Sequence, residues 1–157
     1  MMPSEAYAGA VSRLAAYVLD LAVLSVLLSA GSAIVAYLVA IITGQDVDLT
    51  ADRWVAALWW TGGWFVYFAG SWAITGQTAG MALFGIRVVR PDGTAASTRS
   101  AVIRTLAFPL SVALFGLGFV GIVFQAQRRA LHDLIAGTAV VYSPPPTAEQ
   151  PVVTAGE

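Results

Sequence analysis

Seven side chains in this sequence have the type and the place to do chemistry in an apolar setting: Arg13, Asp20, Gln77, Thr78, Arg104, His132 and Asp133. Asp20 comes first, because it is the one acidic or basic residue in the run Leu14 to Ile42, LAAYVLDLAVLSVLLSAGSAIVAYLVAII. A carboxylate inside such a segment costs about 2.5–3.5 kcal/mol at a helix centre by insertion scales. It takes up a proton, draws in water or finds a basic partner. Its chemistry would be that of a proton or cation carrier facing a polar cavity. The competing reading is a structural charge, either paired with an Arg or hydrated at about 9 Å below the start of the run. Arg13 lies nearly on the same helical face but about 10 Å away, too far for a direct salt bridge on one helix.

Arg104, at the start of the last apolar region, is the expected partner of Asp20, with a hydrated Arg13 the other choice. Arg104 also reads as an interfacial anchor. Arg13 reads as a headgroup anchor at the mouth of the segment or as the partner of Asp133. His132 could relay protons near neutral pH, whereas a His-Asp pair more commonly caps a short helix or sits in solvent. Gln77 and Thr78 could supply polar ligands. A single histidine without known geometry does not make a Ser–His–Asp set.

The elements that must position these groups are apolar. Of 157 residues, 58% are hydrophobic and 11% charged, and the mean hydropathy is +0.77. Such a composition excludes an ordinary soluble domain and indicates a polytopic membrane protein. Near-neutral net charge gives no bulk signal for nucleic acid. The absence of cysteine excludes disulfides, thiolate metal sites and cysteine nucleophiles, and one histidine makes no His-rich metal site. No cofactor is implied. The first apolar run is too long for the core of a signal peptide and carries Asp20, so it reads as a retained helix.

The sequence predicts a tail over 1–12, a membrane domain over 13–142 and a Pro-rich disordered tail over 143–157. Within the first helix Ser25, Ser29 and Ala33 recur every four residues, a small-residue ridge for close packing in a homo-oligomer. A polar loop over 43–53 follows, with Thr50 as a candidate N-cap. The second span is Trp54 to Ile74 and contains all five Trp. Gly62 and Gly63 would admit a close neighbour or a bend. Ile86 to Arg90 and Thr138 to Tyr142 read as short strands, each too short to stand alone and natural partners if they share a side. Pro91-Asp92-Gly93 is a turn signal, and Ser97 caps the helix after it.

The third apolar run, Thr105 to Phe124, is a full span or a re-entrant hairpin bent near Gly116–Gly118. Basic residues mark the cytoplasmic side, and all eight are Arg. The 43–53 loop holds one Arg against three Asp and reads as outside, while 75–104 holds four Arg and reads as inside. A full third span would export Arg128 and Arg129 against this rule, which favours the re-entrant form.

Three segments resemble a known family. GAVSRLAAYVLDLAV with Arg13 and Asp20, GQTAGMALFGIRVVRPDG, and RRALHDLIAGTAVVY with Asp133 are similar to the RDD family of small membrane proteins, named for an arginine and two aspartates. Arg13, Asp20 and Asp133 match those three charges, and the resemblance covers residues 9 to 142. One departure is Met81, where the family usually has a basic residue. The resemblance implies a membrane protein with a transporter-like role, and sodium–proton antiport has been ascribed to some members.

The expectation is an all-α integral membrane fold. It has two full transmembrane helices, a third apolar segment and a small cytoplasmic β-element, placed as a multi-pass protein in the cell membrane. Its function would be ion or proton exchange through an oligomer, with an accessory or assembly subunit of a larger membrane complex as the alternative, and with no enzymatic activity. Expected partners are the bilayer, anionic lipid headgroups at the Arg-rich face, and a second copy or a membrane-complex partner.

Overall fold

A computed structural model describes residues 7–46, 48, 51–113 and 129–143. Helix α1 spans Ala10–Thr43 and ends on Gly44, whose positive φ of 70° lets its N–H return to the Ala40 carbonyl. At 1.5 Å per residue it is about 51 Å long. Ala16, Asp20 and Leu24 are its buried residues, one per turn on a single stripe. Elsewhere it exposes large apolar side chains, among them Val18, Val26, Ile34 and Ile41. Among the described residues, α1 is the one helix long and apolar enough to cross a membrane.

Helix α2, Arg53–Ile74, begins at Asp52, whose carboxylate accepts the N–H groups of Trp54 and Val55. Asp52 is thus the cap expected at Thr50, a residue outside those described. The two long helices touch where a small residue meets a large one. A side chain on Gly63 would place its Cβ 2.4 Å from Leu28, and one on Gly31 would sit 3.2 Å from Trp59. Trp59 Nε1 donates to the Leu28 carbonyl at 3.1 Å. Gly63 therefore serves close approach. Ser25, Ser29 and Ala33 remain exposed, with Ser25 at the rim of a pocket that α1 shares with Trp60 and Trp64 of α2.

Phe68, Ala69 and Trp72 are the buried face of α2. Phe68 stacks against Tyr17, Trp64, Tyr67 and Trp72. Helix α4, Thr98–Ala113, adds Phe108, 4.9 Å from Tyr17 and 6.0 Å from Trp64. Ser97 accepts the Ser100 N–H at the start of this helix, as its position in the sequence predicts. The part of the third apolar run beyond Ala113, including the bend expected near Gly116–Gly118, lies outside the described residues, as does the Pro-rich tail after Ser143.

Between α2 and α4 the chain makes the five-residue helix α3, Ala79–Leu83, and strand β1, Ile86–Val89. After a short helix α5, Leu131–Ala136, strand β2, Ala139–Tyr142, pairs antiparallel with β1, Val88 opposite Val140. The two strand-like pieces are partners, as expected if they share a side. The sheet gains a third line of backbone from the N-terminal segment, where Tyr7 bridges to Val141 and Ala8 N–H donates to the Val140 carbonyl at 2.9 Å. On the far side, Gly76 accepts the Val88 N–H and Gln77 Nε2 donates to the Ile86 carbonyl. Both edges of a strand pair too small to stand alone are thereby covered. The end of the predicted tail is therefore structural, and Tyr7 and Ala8 are buried.

Candidate functional site: a buried charge junction and the cavity beside it

Asp133 is the third residue of α5, and its position there has a local cause. Its Oδ2 accepts the N–H of Ala130, one of the orphan donors at the start of that helix, at 3.0 Å. Gly137, with φ 63°, ends the helix after six residues. Arg129 ties the exit down by donating from Nε to the Thr138 carbonyl and from Nη2 to the Asp133 carbonyl. These local bonds set the place of the carboxylate within its own segment, for distant residues to reach.

Two arginines then do so. Arg13 Nη1 donates to Oδ2 at 2.6 Å, and Arg104 Nη1 lies 2.5 Å from Oδ1. Arg13 also holds the Ala8 carbonyl, and Arg104 holds the Thr138 hydroxyl. The guanidinium of Arg104 lies 4.6 Å from the centre of the Trp72 ring, a cation–π contact. One carboxylate thus joins α1, α4 and α5 in a buried place. Burial alone would raise the Asp133 carboxyl, but Arg104 and then Arg13 outweigh it and hold it down at about 2. His132 packs on Phe108 and shares a hydrogen bond with Ser111 through Nδ1 at 3.0 Å. Its burial, reinforced by the two arginines against the opposing pull of Asp133, pushes it down to about 3, so it is neutral at pH 7.

Asp20 has a different set of partners from the expected one. Tyr67 Oη donates to its Oδ1 at 2.7 Å, Thr78 Oγ1 to its Oδ2 at 2.5 Å, and the Gly80 N–H to Oδ1 at 2.7 Å. The expected pairing of Asp20 with Arg104 is corrected: Arg104 is committed to Asp133, and three neutral donors satisfy Asp20. The reason is chain geometry. The GQTAG segment turns into α3 directly over α1, and the close approach needs glycine, since a Cβ on Gly80 would lie 2.1 Å from the Ala16 carbonyl oxygen. Thr78 both caps α3, through the Met81 N–H, and donates to Asp20. Gln77, expected as a polar ligand, seals the sheet edge.

Ser111, His132 and Asp133 do meet, but they do not form a catalytic relay. His132 Nε2 is 3.7 Å from Asp133 Oδ1, that carboxylate is held by two arginines, and an imidazole titrating near 3 is a poor base. Among the described residues no group of three or more His, Asp or Glu side chains could hold a metal ion.

Between these two charged centres lies a cavity of about 390 Å³. Arg13, Asp20, Arg104 and His132 line it together with Tyr17, Phe68, Trp72, Met81 and Phe108. Met81 offers no charge here, and its sulfur accepts the Trp72 Nε1–H at 3.3 Å. Five of the seven sequence-predicted residues, Arg13, Asp20, Arg104, His132 and Asp133, thus gather around one cavity or the ion pair at its edge. Tyr67, Gly80 and Ser111 were missed. The spacing of Gly80 after Thr78 was a usable signal, whereas Tyr67 and Ser111 look like ordinary residues of apolar helices.

The family model for the RDD family matches residues 7–137. The chain belongs to the RDD family. The matched span contains both halves of the charge junction and the Asp20 clamp. Two Bacillus subtilis (strain 168) proteins are similar to this RDD chain. "Uncharacterized protein YckC" is 37% identical over 75 residues, 45% of this chain and 50% of its own length. "Uncharacterized protein YxaI" is 37% identical over 65 residues, 41% of this chain and 42% of its own length. The matched stretch thus spans half or less of these relatives. No solved structure matches the chain.

Proposed function

We propose that this chain is a multi-pass protein of the cell membrane that moves a solute through the cavity between α1, α2 and α4, working as a homo-oligomer. The single observation that carries the reading is that cavity, flanked by the Arg13–Asp133–Arg104 junction at one side and Asp20 at the other. Pockets of this size that are mostly apolar with a few convergent polar groups are the usual form of a small-molecule site. The long apolar helix with exposed Val, Leu and Ile supports placement in a bilayer. Helix α2, at 22 residues, is about 33 Å long, enough for the bilayer core although less apolar than α1, and is the second span in this reading.

Proton exchange through Asp133 or His132 is disfavoured, because one stays ionised and the other neutral throughout the physiological range. An ion or an organic solute fits the cavity better. The reading is tested by reconstituting the full chain in proteoliposomes and following sodium, potassium and pH gradients with entrapped dyes. Movement above empty liposomes that is lost in Asp20→Asn, which keeps both buried arginines paired, supports it. No movement under any gradient overturns it for these ions.

A second reading has its own observation. All three charges that name the family are bonded within the chain, which is what an accessory or assembly subunit would require of them. Under that reading the wild-type chain carries no flux, and the junction variants lose a membrane partner at the rate at which they lose stability.

A further inference from the structure

The sheet ends in a corner where positive charge collects. Val89 lies opposite Ala139, so the register brings Arg90 opposite Thr138. Arg129 Nε donates to the Thr138 carbonyl from the other side. The bridge between Val89 and Ala95 keeps the start of α4, with Arg99 in its first turn, at the same end of the sheet. Arg90 and Arg99 are exposed, and Arg129 is half-buried.

These charges are not balanced where they stand. Among the described residues, the carboxylates in salt bridges reduce to Asp133, and its partners are Arg13, Arg104 and His132. Arg90, Arg99 and Arg129 have no such partner. Asp92 is the one acid on the connection from β1 to α4, and its Oδ1 accepts the Thr94 N–H and hydroxyl. The junction behind the corner holds two arginines on one aspartate, so it lends no spare negative charge. Three cations against one anion call for an acceptor from outside the chain. A phosphate suits them, since guanidinium groups bind its oxygens through paired, charge-assisted hydrogen bonds.

The setting selects the kind of phosphate. In the multi-pass reading the first turns of α1 and α4 lie at headgroup level on the Arg-rich side. Beyond the corner, α4 exposes Leu106 and Leu110 on one face, and α5 exposes Leu134 and Ile135. A soluble anion would use the charges and leave this apolar surface bare, whereas a lipid covers both.

From this placement we infer that the Arg90–Arg99–Arg129 corner binds the phosphate of an anionic phospholipid of the cytoplasmic leaflet, with its acyl chains against the exposed leucines of α4. This binding rests on the membrane placement proposed above and is independent of any flux.

The test is native mass spectrometry of the full chain in mild detergent, with phosphatidylglycerol, phosphatidylcholine of the same acyl chains, or glycerol 3-phosphate added separately. Phosphatidylglycerol should be held about tenfold more tightly than phosphatidylcholine, and glycerol 3-phosphate should not be retained. The double variant Arg90→Gln with Arg99→Gln removes two exposed charges outside the buried junction. It should lose about tenfold for phosphatidylglycerol, with phosphatidylcholine retention and the unfolding temperature unchanged. Arg53→Gln, at the start of α2 and on the far side of the proposed span, should change nothing. Equal retention of the two lipids, wild-type retention in the double variant, or the same loss in Arg53→Gln would each overturn the inference. So would glycerol 3-phosphate held as tightly as phosphatidylglycerol, because a free anion would then fill the corner. Labelling of Ala95→Cys from outside intact cells would overturn the membrane placement and the inference with it. Labelling only after permeabilisation, with no preference for phosphatidylglycerol, would leave the placement standing and overturn the inference alone.

Discussion

Arg13 Nη1 lies 2.6 Å from Asp133 Oδ2, a bond that closes the chain on itself across 120 residues. With Arg104 on the other carboxylate oxygen, the pair is a three-way joint of two cations on one anion. Removing the anion strands both cations in a buried place, a change that typically costs about 3–5 kcal/mol. Removing one arginine leaves the other still paired. Asp133→Asn should therefore destabilise most, Arg104→Gln less, and Arg13→Gln least, because Arg13 is the more exposed of the two arginines. Thermal unfolding of the three variants in detergent checks this order. Equal losses for all three would mean that the joint does not act as a shared-anion cluster.

The Asp20 clamp predicts a separate pattern. A hydrogen bond to a charged acceptor contributes about 1.5–3 kcal/mol, so Tyr67→Phe should cost about that much. Asp20→Asn leaves no buried arginine uncompensated. It should fold, with α3 loosened over α1, seen as faster hydrogen exchange at Gly80 and Met81. Gly80→Ala is expected to be worse, since the new Cβ meets a backbone oxygen at 2.1 Å and not a movable side chain. Its yield of folded protein should fall below that of Asp20→Asn. Wild-type exchange in Asp20→Asn would show that the clamp carries no weight.

The sequence made the long helices, the two short strands and their shared side readable, because apolar length, Trp placement and β-branched alternation are local signals. Asp52 was hidden behind Thr50 because both are good caps within one turn of the helix start. Charge pairing was only half legible. Arg13 with Asp133 was a named possibility, while Arg104 was assigned to Asp20 because an intramembrane aspartate suggests a basic partner. What decided otherwise was α3, whose backbone N–H, Thr78 hydroxyl and nearby Tyr67 reach Asp20 first. The three donors are neutral and split between α2 and α3, so apart from the Thr78–Gly80 spacing they leave no pattern in sequence.

Acid sensitivity follows from His132. Its ordinary value is 6.5 and burial lowers it to about 3 in the folded chain, so between these values the unfolded chain holds a proton that the folded one lacks. Stability from this group is full above pH 6.5 and falls as the pH drops toward 3, by up to about 1.4 kcal/mol per pH unit. Asp133, lowered from 3.8 to about 2, adds a second loss only below about pH 4. Chemical denaturation at pH 7.5 and 5.0 should show the wild type weaker at pH 5.0. His132→Gln should remove most of that difference. An unchanged pH slope in His132→Gln would assign the acid sensitivity to another group.

Self-association through the small-residue ridge of α1 is a further prediction. Ser25, Ser29 and Ala33 are exposed, while the contact with α2 uses Leu28 and Gly31. Close helix approach in a bilayer depends on such small side chains. Ser29→Leu should weaken self-association without changing the α1–α2 contact. Mass measured in nanodiscs and in mild detergent checks this, and a wild-type chain that is monomeric in both would count against the ridge as an interface.

Topology is constrained by the sheet. Tyr7, β1 and β2 share hydrogen bonds, so in the proposed multi-pass arrangement the chain is on one side of the bilayer before α1, after α2 and at Tyr142. Two spans over α1 and α2 meet that condition. In that arrangement a single full crossing between β1 and β2 is excluded, because it would part the paired strands. With four Arg in 75–104, the proposed side is the cytoplasmic one. The cysteine-free chain allows a direct test with single cysteines at Asp48, Ala95 and Ser143. Ala95 is used in place of Gly93, whose φ of 87° would strain a cysteine. A membrane-impermeant maleimide added to intact cells should label Asp48→Cys alone, and Ala95→Cys and Ser143→Cys should react only after permeabilisation. Labelling of Ser143→Cys from outside would show that the third apolar segment crosses completely. In that case the strand pairing that holds β2 beside β1 could not exist in the membrane.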